Sequence, residues 1–333
     1  MIWMAEYSQF AILPQPRASV KRFRTVSDWF DRPSGLRYND AAMSIITLTT
    51  DFGASDGYVG TVKGVILSLA PNVTLVDITH EIAPQHIQQA AYVLHAAAPY
   101  FPPGTIHLAV VDPGVGSQRR ALVVRTSKGF LVGPDNGLFT LFLADEPGAE
   151  CHAMTQPAFR LPHVSATFHG RDVFAPAAAH LARRLDHSEA QRATESLPRD
   201  PEASRRYTAQ AGLLALEEWG PRVNDPVTFT IPKPAQQPDG SCLGHVLYAD
   251  HFGNLITSIT GDVLAHLDHV EISIGQRRIA GIKRTYTEAA PGDLIALVGS
   301  SGHVEISVVN GNAAQSLGLG PDSPLTLRTT QEA

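Results

Sequence analysis

From Ile45 onward the chain alternates β-branched apolar runs with helical periodicity, and this restricts its possible folds more than any other feature. Ser44-Ile45-Ile46-Thr47-Leu48-Thr49 reads as a strand that ends at Thr50-Asp51-Phe52-Gly53. Val59, Val62, Val65, Ile66 and Leu69 then recur at helical spacing, with Ser55 or Asp56 as the expected cap and Pro71 as the stop. Residues 73–77 form a second strand, Ile87, Ala90, Ala91, Leu94 and Ala98 mark a second amphipathic helix, and residues 105–111 form a third strand. This order belongs to an α/β fold whose central, mainly parallel sheet is covered by helices.

Further strands are expected at 121–126 and 130–132, followed by the turn Gly133-Pro134-Asp135-Asn136-Gly137 and a helical run over 172–185. The stretch 188–240 is rich in Pro, Arg and Glu, lacks periodicity and reads as a linker region. Short strands at 244–249, 255–259, 270–274, 279–283, 294–298 and 304–308, separated by Gly and Pro, indicate a β-rich second domain. A chain of 333 residues suits two domains at about 150 residues each. The expected division is an N-terminal α/β domain over 43–187, the linker over 188–240, and a smaller β-rich C-terminal domain over 241–330.

Residues 1–42 read differently. Pro14, Pro16 and Pro33 accompany a basic run, Lys21-Arg22-Phe23-Arg24, with no sustained periodicity, so a disordered or mis-called extension is expected, with Met43 as the biological start. The apolar run Phe10-Ala11-Ile12-Leu13 is short and precedes the basic residues, the reverse of a secretory signal. Twenty-six Lys+Arg against 32 Asp+Glu gives 26 − 32 = −6, so no global basic field favours nucleic acid. No run approaches the roughly 18 to 20 apolar residues of a membrane span. Cys151 and Cys242, the two cysteines, belong to no CxxC or Cys/His cluster, and they are expected to be buried free thiols in a reducing cytoplasm.

Ligands in open α/β sheets bind beyond the carboxyl ends of the strands, where this chain places Asp51, Asp77 and Asp112. Asp51 and Asp112 each open a Gly-containing loop through which backbone can approach a ligand. Several motif matches fail. Asp51-Phe52-Gly53 lacks the Gly-rich loop and strand lysine of a kinase, Gly114-Val115-Gly116 lacks the third glycine of a dinucleotide fingerprint, and no GxxxxGK[ST] occurs. Fourteen histidines include no HExxH pair, so no metal site is expected. What remains is Thr50-Asp51-Phe52-Gly53, Asp112-Pro113-Gly114-Val115-Gly116 with Arg119, the Gly133 turn, Phe168-His169-Gly170-Arg171-Asp172, and Asp250-His251-Phe252-Gly253-Asn254. They lie in both domains, which suggests a cleft between domains or subunits.

Taken together, and in this order from about Ile45 to Leu327, these motifs resemble the S-adenosylmethionine (SAM) hydroxide adenosyltransferases, relatives of the SAM-dependent fluorinase and chlorinase. The resemblance implies a homotrimer with SAM held between one subunit's N-terminal domain and its neighbour's C-terminal domain. It implies SAM and water as substrates and no cofactor. On it, Asp51 is the carboxylate for the two ribose hydroxyls and Phe168 packs near the ribose or sulfonium. Asp250 takes the methionine amino group, Phe252 and Asn254 lie at the adenine, and Tyr286 stacks on it. Ser300 and the Asn312-Ala313 loop correspond to carboxylate-binding and adenine-edge segments. The hydrolase branch carries an Asp-Arg-His set, here Asp112, Arg119 and His169, where halogenases have a tyrosine in place of Asp112. Two departures from the halogenases are Gln85 for a tryptophan and Ser301 for an arginine.

The implied reaction is in-line attack of water or hydroxide on C5′ of SAM, releasing methionine and adenosine. Asp112 and His169 are expected to accept from that water and Arg119 to hold Asp112 ionised. An arginine weakens a neighbouring aspartate as a base, so His169 or a water relay is the expected proton acceptor. The alternatives are a halogenase that forms 5′-halo-adenosine and a non-catalytic SAM-binding protein.

Overall fold

The computed structural model describes residues 44–194, 215–264, 267 and 269–329. The expected extension over 1–42 lies outside them. The N-terminal sheet has six strands in the order β2-β1-β3-β5-β4-β6: β1 Ile45–Thr50, β2 Thr74–Thr79, β3 Thr105–Val110, β4 Ala121–Arg125, β5 Gly129–Pro134 and β6 Glu150–Ala153. β2, β1, β3 and β5 run parallel, whereas β4 lies antiparallel to both β5 and β6, so the sheet is mainly parallel as the alternation predicts.

β3 shows how the strands feed two cores. Ile106, Leu108 and Val110 pack with Val62 and Ile66 of α1 (Tyr58–Leu69) and with the alanine-rich start of α4 (Ala175–Thr194). Ala109 and Val111 face the other way, onto Ala90 and Leu94 of α2 (Ile87–Ala97) and residues near α3 (Thr140–Asp145). Period-2 side chains with helices on both faces account for the near-continuous burial of β1 and β3.

Some boundaries differ from expectation. α1 is not capped by Ser55 or Asp56: Gly57 occupies the N-cap without a side-chain bond. The expected strand 279–283 is β11, Arg277–Ala280, because Gly281 turns the chain at φ +73°. The short elements α3, β6 and β14 carry too little periodicity to stand out in the sequence. Within 188–240, α4 continues to Thr194, and Leu216 and Trp219 are fully buried in the N-terminal core. Trp219 stacks on Phe159 at 3.9 Å, and the chain then hydrogen-bonds β6 through Val223 N to Cys151 O at 2.8 Å. This part of the stretch read as linker therefore packs as the far wall of the first domain.

The C-terminal strands form one antiparallel sheet in the order β11-β10-β14-β8-β9-β13-β12, with β7 (Ala235–Gln236) on β8. The strands are β8 Cys242–Ala249, β9 Leu255–Thr260, β10 Val270–Ile274, β12 Leu294–Val298, β13 His303–Val308 and β14 Pro324–Thr329. β8 pairs β14 through its first half and β9 through its second, which bends the sheet around one core. A second apolar contact, Tyr92 and Leu141 with Leu247 and Phe229, joins the two domains. Cys151 and Cys242 are buried free thiols, and burial pushes the Cys151 thiol up to about 11. Among the described residues no helix is long and apolar enough to cross a membrane.

Two measurements test this packing. Trp219→Ala should lower the unfolding free energy by about 3–5 kcal/mol in urea titrations; a loss below about 1 kcal/mol would remove residues 215–229 from the core. His107 sits opposite Thr47 in the β1–β3 register, bonded to its hydroxyl at 2.8 Å, and burial lowers its pKa to about 4. On acidification the unfolded chain takes up the proton first. The contribution of neutral His107 is thus complete above about pH 6.5 and is lost as pH falls through about 4, an effect of about 3 kcal/mol. The wild type should lose more stability over that window than His107→Gln.

Candidate active site

The chain enters β2 on one side of β1 and returns to β3 on the other. The carboxyl ends of β1 and β3 therefore border a topological switch point, where such sheets open a crevice. Asp51 follows β1 directly and Asp112 follows the buried Val111 after β3, so both residues stand at that edge of the sheet.

Arg119 is brought back to Asp112 by a loop that folds on itself. Val115 N donates to Asp112 O at 3.2 Å, Ser117 Oγ to Gly114 O at 2.7 Å, and Arg119 N to Ser117 Oγ at 3.2 Å. Gly116 has φ +78°, and a β-carbon there would collide with the Ala166 carbonyl, so the loop needs glycine at this point. The Arg119 guanidinium then grips Asp112: Nε lies 3.0 Å from both carboxylate oxygens, and a second guanidinium nitrogen bonds Oδ2. The Asp112 side chain is 4% exposed and that of Arg119 10%, and Arg119 also lies over the Phe174 ring at 5.1 Å.

The same guanidinium reaches His169 Nδ1 at 2.8 Å. A guanidinium can only donate, so Nδ1 accepts and the neutral imidazole carries its hydrogen on Nε2. Burial, and then the Arg119 charge, hold the His169 pKa below its ordinary value, consistent with a neutral ring. His169 precedes a single π-helical turn, Gly170–Phe174, a local irregularity that recurs at functional sites. A β-carbon on Gly170 would press on Phe52 at 3.0 Å. Phe168 packs edge-on against Phe52 at 5.9 Å and Tyr58 at 5.1 Å, forming an aromatic wall beside Asp51.

Asp51 is held through its surroundings. Gln85 N donates to Asp51 Oδ2 at 2.8 Å from a residue with φ +66°, a strained position for a non-glycine. Thr50 Oγ1 bonds His80 Nδ1 at 2.8 Å, and Phe52 N donates to the same hydroxyl at 3.2 Å. His80 Nε2 in turn lies 3.0 Å from Asp77, which Lys63 holds at 2.6 Å. His80 thus stands between the Thr50 hydroxyl and the Asp77 carboxylate. The sequence reading places Asp77 at a strand end, whereas β2 runs on to Thr79 and Asp77 pairs with Leu48 inside it; that reading also misses His80 and the backbone role of Gln85.

In the C-terminal domain Asp250 closes the β8–β9 turn. Its Oδ1 accepts from Phe252 N and Asn254 N, each at 2.9 Å, and its Oδ2 from Asn254 Nδ2 at 2.9 Å. The Asn254 amide oxygen takes no part in that pair. Gly253, at φ +82°, leaves no room for a β-carbon beside Asn312, which caps α5 (Ala313–Leu317) through Gln315 N at 2.7 Å. Ala314 N donates to Gly253 O at 2.9 Å, so the Asp250 turn and the Asn312-Ala313 loop are locked together. Phe252 is 72% and Tyr286 42% exposed, and Ser300 lies in the exposed β12–β13 turn.

The structure thus assembles the expected residues as two sets. Asp51, Asp112, Arg119, Phe168 and His169 converge at the first sheet, while Asp250, Phe252, Asn254, Asn312 and Ala313 converge at the second. Among the described residues no hydrogen bond, ion pair or ring contact joins the two sets. One other cluster, Glu150, His152 and Glu217, brings three potential metal-ligand atoms within 4.8 Å of one another. It lies on the β6 edge, where Arg125 pairs with Glu150 and His152 bonds both Glu150 and the Gly220 carbonyl.

Comparison with known proteins accounts for this pairing of domains. The SAM hydroxide adenosyltransferase N-terminal domain model matches residues 46–191, and the C-terminal domain model matches 244–326. A Thermus thermophilus protein named (R)-S-adenosyl-L-methionine hydrolase is 38% identical over 292 residues, covering 86% of this chain and all of its own. A Salinispora arenicola protein of the same name is 36% identical, covering 84% of this chain and 96% of its own. A fluorinase of Actinopolyspora mzabensis is 26% identical, covering 72% of this chain and 75% of its own. The crystal structure of an uncharacterised conserved protein from Thermotoga maritima superposes with a TM-score of 0.70 at 31% identity, covering 85% of this chain and all of that one. The chain belongs to the SAM hydroxide adenosyltransferase family.

Proposed function

We propose that this protein hydrolyses S-adenosyl-L-methionine to adenosine and L-methionine. The observation that carries the reading is the Asp112–Arg119–His169 assembly at the switch-point crevice. It stands in a chain whose relatives along nearly their full length are named as SAM hydrolases. Fluorinases match at lower identity and over less of the chain, and a carboxylate at position 112 would repel a halide nucleophile.

The chemistry is substitution at C5′. A sulfonium leaves as a neutral thioether, so this reading calls on no metal or other cofactor. The protein's task is to desolvate and aim a weak nucleophile. Asp51 keeps Oδ1 for the ribose hydroxyls while Gln85 N occupies Oδ2. The water lies between Asp112 and His169. His169 Nδ1 is already taken by Arg119, so this residue cannot accept through it; its Nε2–H donates to the water oxygen and fixes its position. That reverses the role expected for His169 and leaves Asp112 as the proton acceptor. A carboxylate suffices for this, because C–O bond formation turns the water into an oxonium, a far stronger acid than any carboxylic acid.

The C-terminal set supplies the adenine and methionine contacts, with Asp250 toward the amino group and Phe252, Asn254 and Tyr286 toward the base. The open aromatic faces of Phe252 and Tyr286 favour a site completed between subunits, as in a homotrimer. Buried thiols at Cys151 and Cys242 suit a reducing cytoplasm.

Purified protein should convert SAM to adenosine and methionine with or without chloride, and oxygen from labelled water should enter the ribose 5′ position. The relatives' names specify the (R) form, so both sulfonium epimers belong in the assay. A chloride-dependent halogenated product, or binding without product over hours, would defeat the reading. Asp112→Asn should lower kcat by about 10²–10⁴-fold with SAM binding retained. Loss of binding in place of kcat would remove Asp112 from the chemistry. In ¹⁵N-histidine spectra near pH 7, His169 should be neutral with hydrogen on Nε2. Protonation would place a second hydrogen on Nδ1 against Arg119, so the acid limb of kcat attributable to His169 should lie below about pH 6.5, its ordinary value. An Nδ1–H tautomer would return His169 to the part of base.

A further inference from the structure

One buried carboxylate has no part in the mechanism above. Glu305 lies in the middle of β13, paired with Leu297 on β12 and Ile256 on β9. Its neighbours Val304 and Ile306 point into the C-terminal core, while Glu305 and Ser307 share the opposite face. Glu305 is 6% exposed. A charge in such a place is costly unless other groups satisfy it. Its hydrogen-bond partners among the described residues are hydroxyls: Tyr286 Oη donates to Oε1, and Ser307 Oγ lies 3.4 Å from the same oxygen.

Space has been kept for this carboxylate. A β-carbon on Gly299 would collide with Oε2, so the strand end leading into the β12–β13 turn is trimmed to admit it. Tyr286 lies in a short turn, Tyr286–Glu288, with its ring partly exposed and its hydroxyl directed inward. Burial, and then the bond to Glu305, push the Tyr286 phenol up to about 12, so the hydroxyl remains a donor throughout the physiological range. An aromatic side chain on a loop can turn about two torsions, and a hydrogen bond at its far end restrains both.

We propose that Glu305 is a positioning residue for the S-adenosyl ligand: it fixes the Tyr286 hydroxyl and with it the plane of the ring that stacks on adenine. The inference rests on the function proposed above and assigns Glu305 a part in affinity, not in the chemical step. A restrained ring loses less freedom when ligand binds, which strengthens binding without changing the reacting atoms.

The test compares Glu305→Ala, Glu305→Gln, Tyr286→Phe and the double variant Glu305→Ala/Tyr286→Phe. SAM Kd is measured calorimetrically with Asp112→Asn added to prevent turnover, and kcat and KM are measured with Asp112 intact. Loss of one hydrogen bond that orders a contact corresponds to about tenfold in Kd, and that is the expected rise for Glu305→Ala and Tyr286→Phe. Glu305→Gln keeps an acceptor and should stay within about threefold of wild type. The double variant should bind no more weakly than the worse single, and the losses should appear in KM more than in kcat. Wild-type affinity in Tyr286→Phe or in folded Glu305→Ala overturns the proposal, as do losses that multiply in the double variant. If Glu305→Ala fails to fold, Tyr286→Phe against Glu305→Gln decides it. A wild type that binds SAM without product defeats the proposed reaction, while the Kd pattern still decides the role of Glu305.

Discussion

The crossover that carries the chain from β2 past β1 to β3 is the constraint on which the first half of the site depends. A right-handed β–α–β unit on each side of β1 forces the two intervening helices onto opposite faces. The loops after β1 and β3 are thereby left adjacent and uncovered. Asp51 and Asp112 are 61 residues apart in the chain, yet neighbouring strand ends bring them to one crevice. The burial of β1 and β3 is what makes this placement rigid: Ile46, Leu48, Ile106 and Leu108 are at most 1% exposed, so the loops spring from immobile ends.

Within that crevice Arg119 is the hub. It binds Asp112 through two nitrogens and His169 through one of them, so a single guanidinium sets the orientation of a carboxylate and the tautomer of an imidazole. A lysine would hold both less rigidly, since a point charge on a flexible stem lacks the planar fork. The hub is in turn held by the Phe174 ring and by a loop that closes on Gly116. The irregular π-turn after His169 belongs to the same arrangement, because it leads from the His169 loop into α4.

How much of this was legible in the sequence follows the range of the forces involved. Strands and helices that bury a periodic face, such as β1, α1, α2 and β3, announce themselves over 6 to 12 residues. The motif residues were readable because they cluster in short loops. What stayed hidden depends on contacts distant in sequence. Trp219 has no periodic neighbours, and its place in the core appears only when Phe159 stacks on it from 60 residues away. Gln85 reads as a departure from a halogenase tryptophan, whereas its backbone N–H is what engages Asp51. The tautomer of His169 also lay beyond the sequence, because it is set by a hydrogen-bond partner and no spacing rule says which ring nitrogen Arg119 will meet.

Under the mechanism proposed for this site, the charges around Asp112 also explain why a paired aspartate suits this reaction better than a free one. As water displaces methionine, positive charge leaves sulfur and gathers on the attacking oxygen. A carboxylate beside that oxygen gains attraction as the reaction proceeds, which lowers the barrier only through the difference between the two states. An unpaired Asp112 would attract the sulfonium from a distance as well, stabilising substrate along with transition state. Arg119 cancels most of that long-range field, while the bonded oxygens retain lone pairs for a hydrogen bond at contact. The arginine beside Asp112 therefore restricts its action to the atom that becomes charged, where the carboxylate can take the proton.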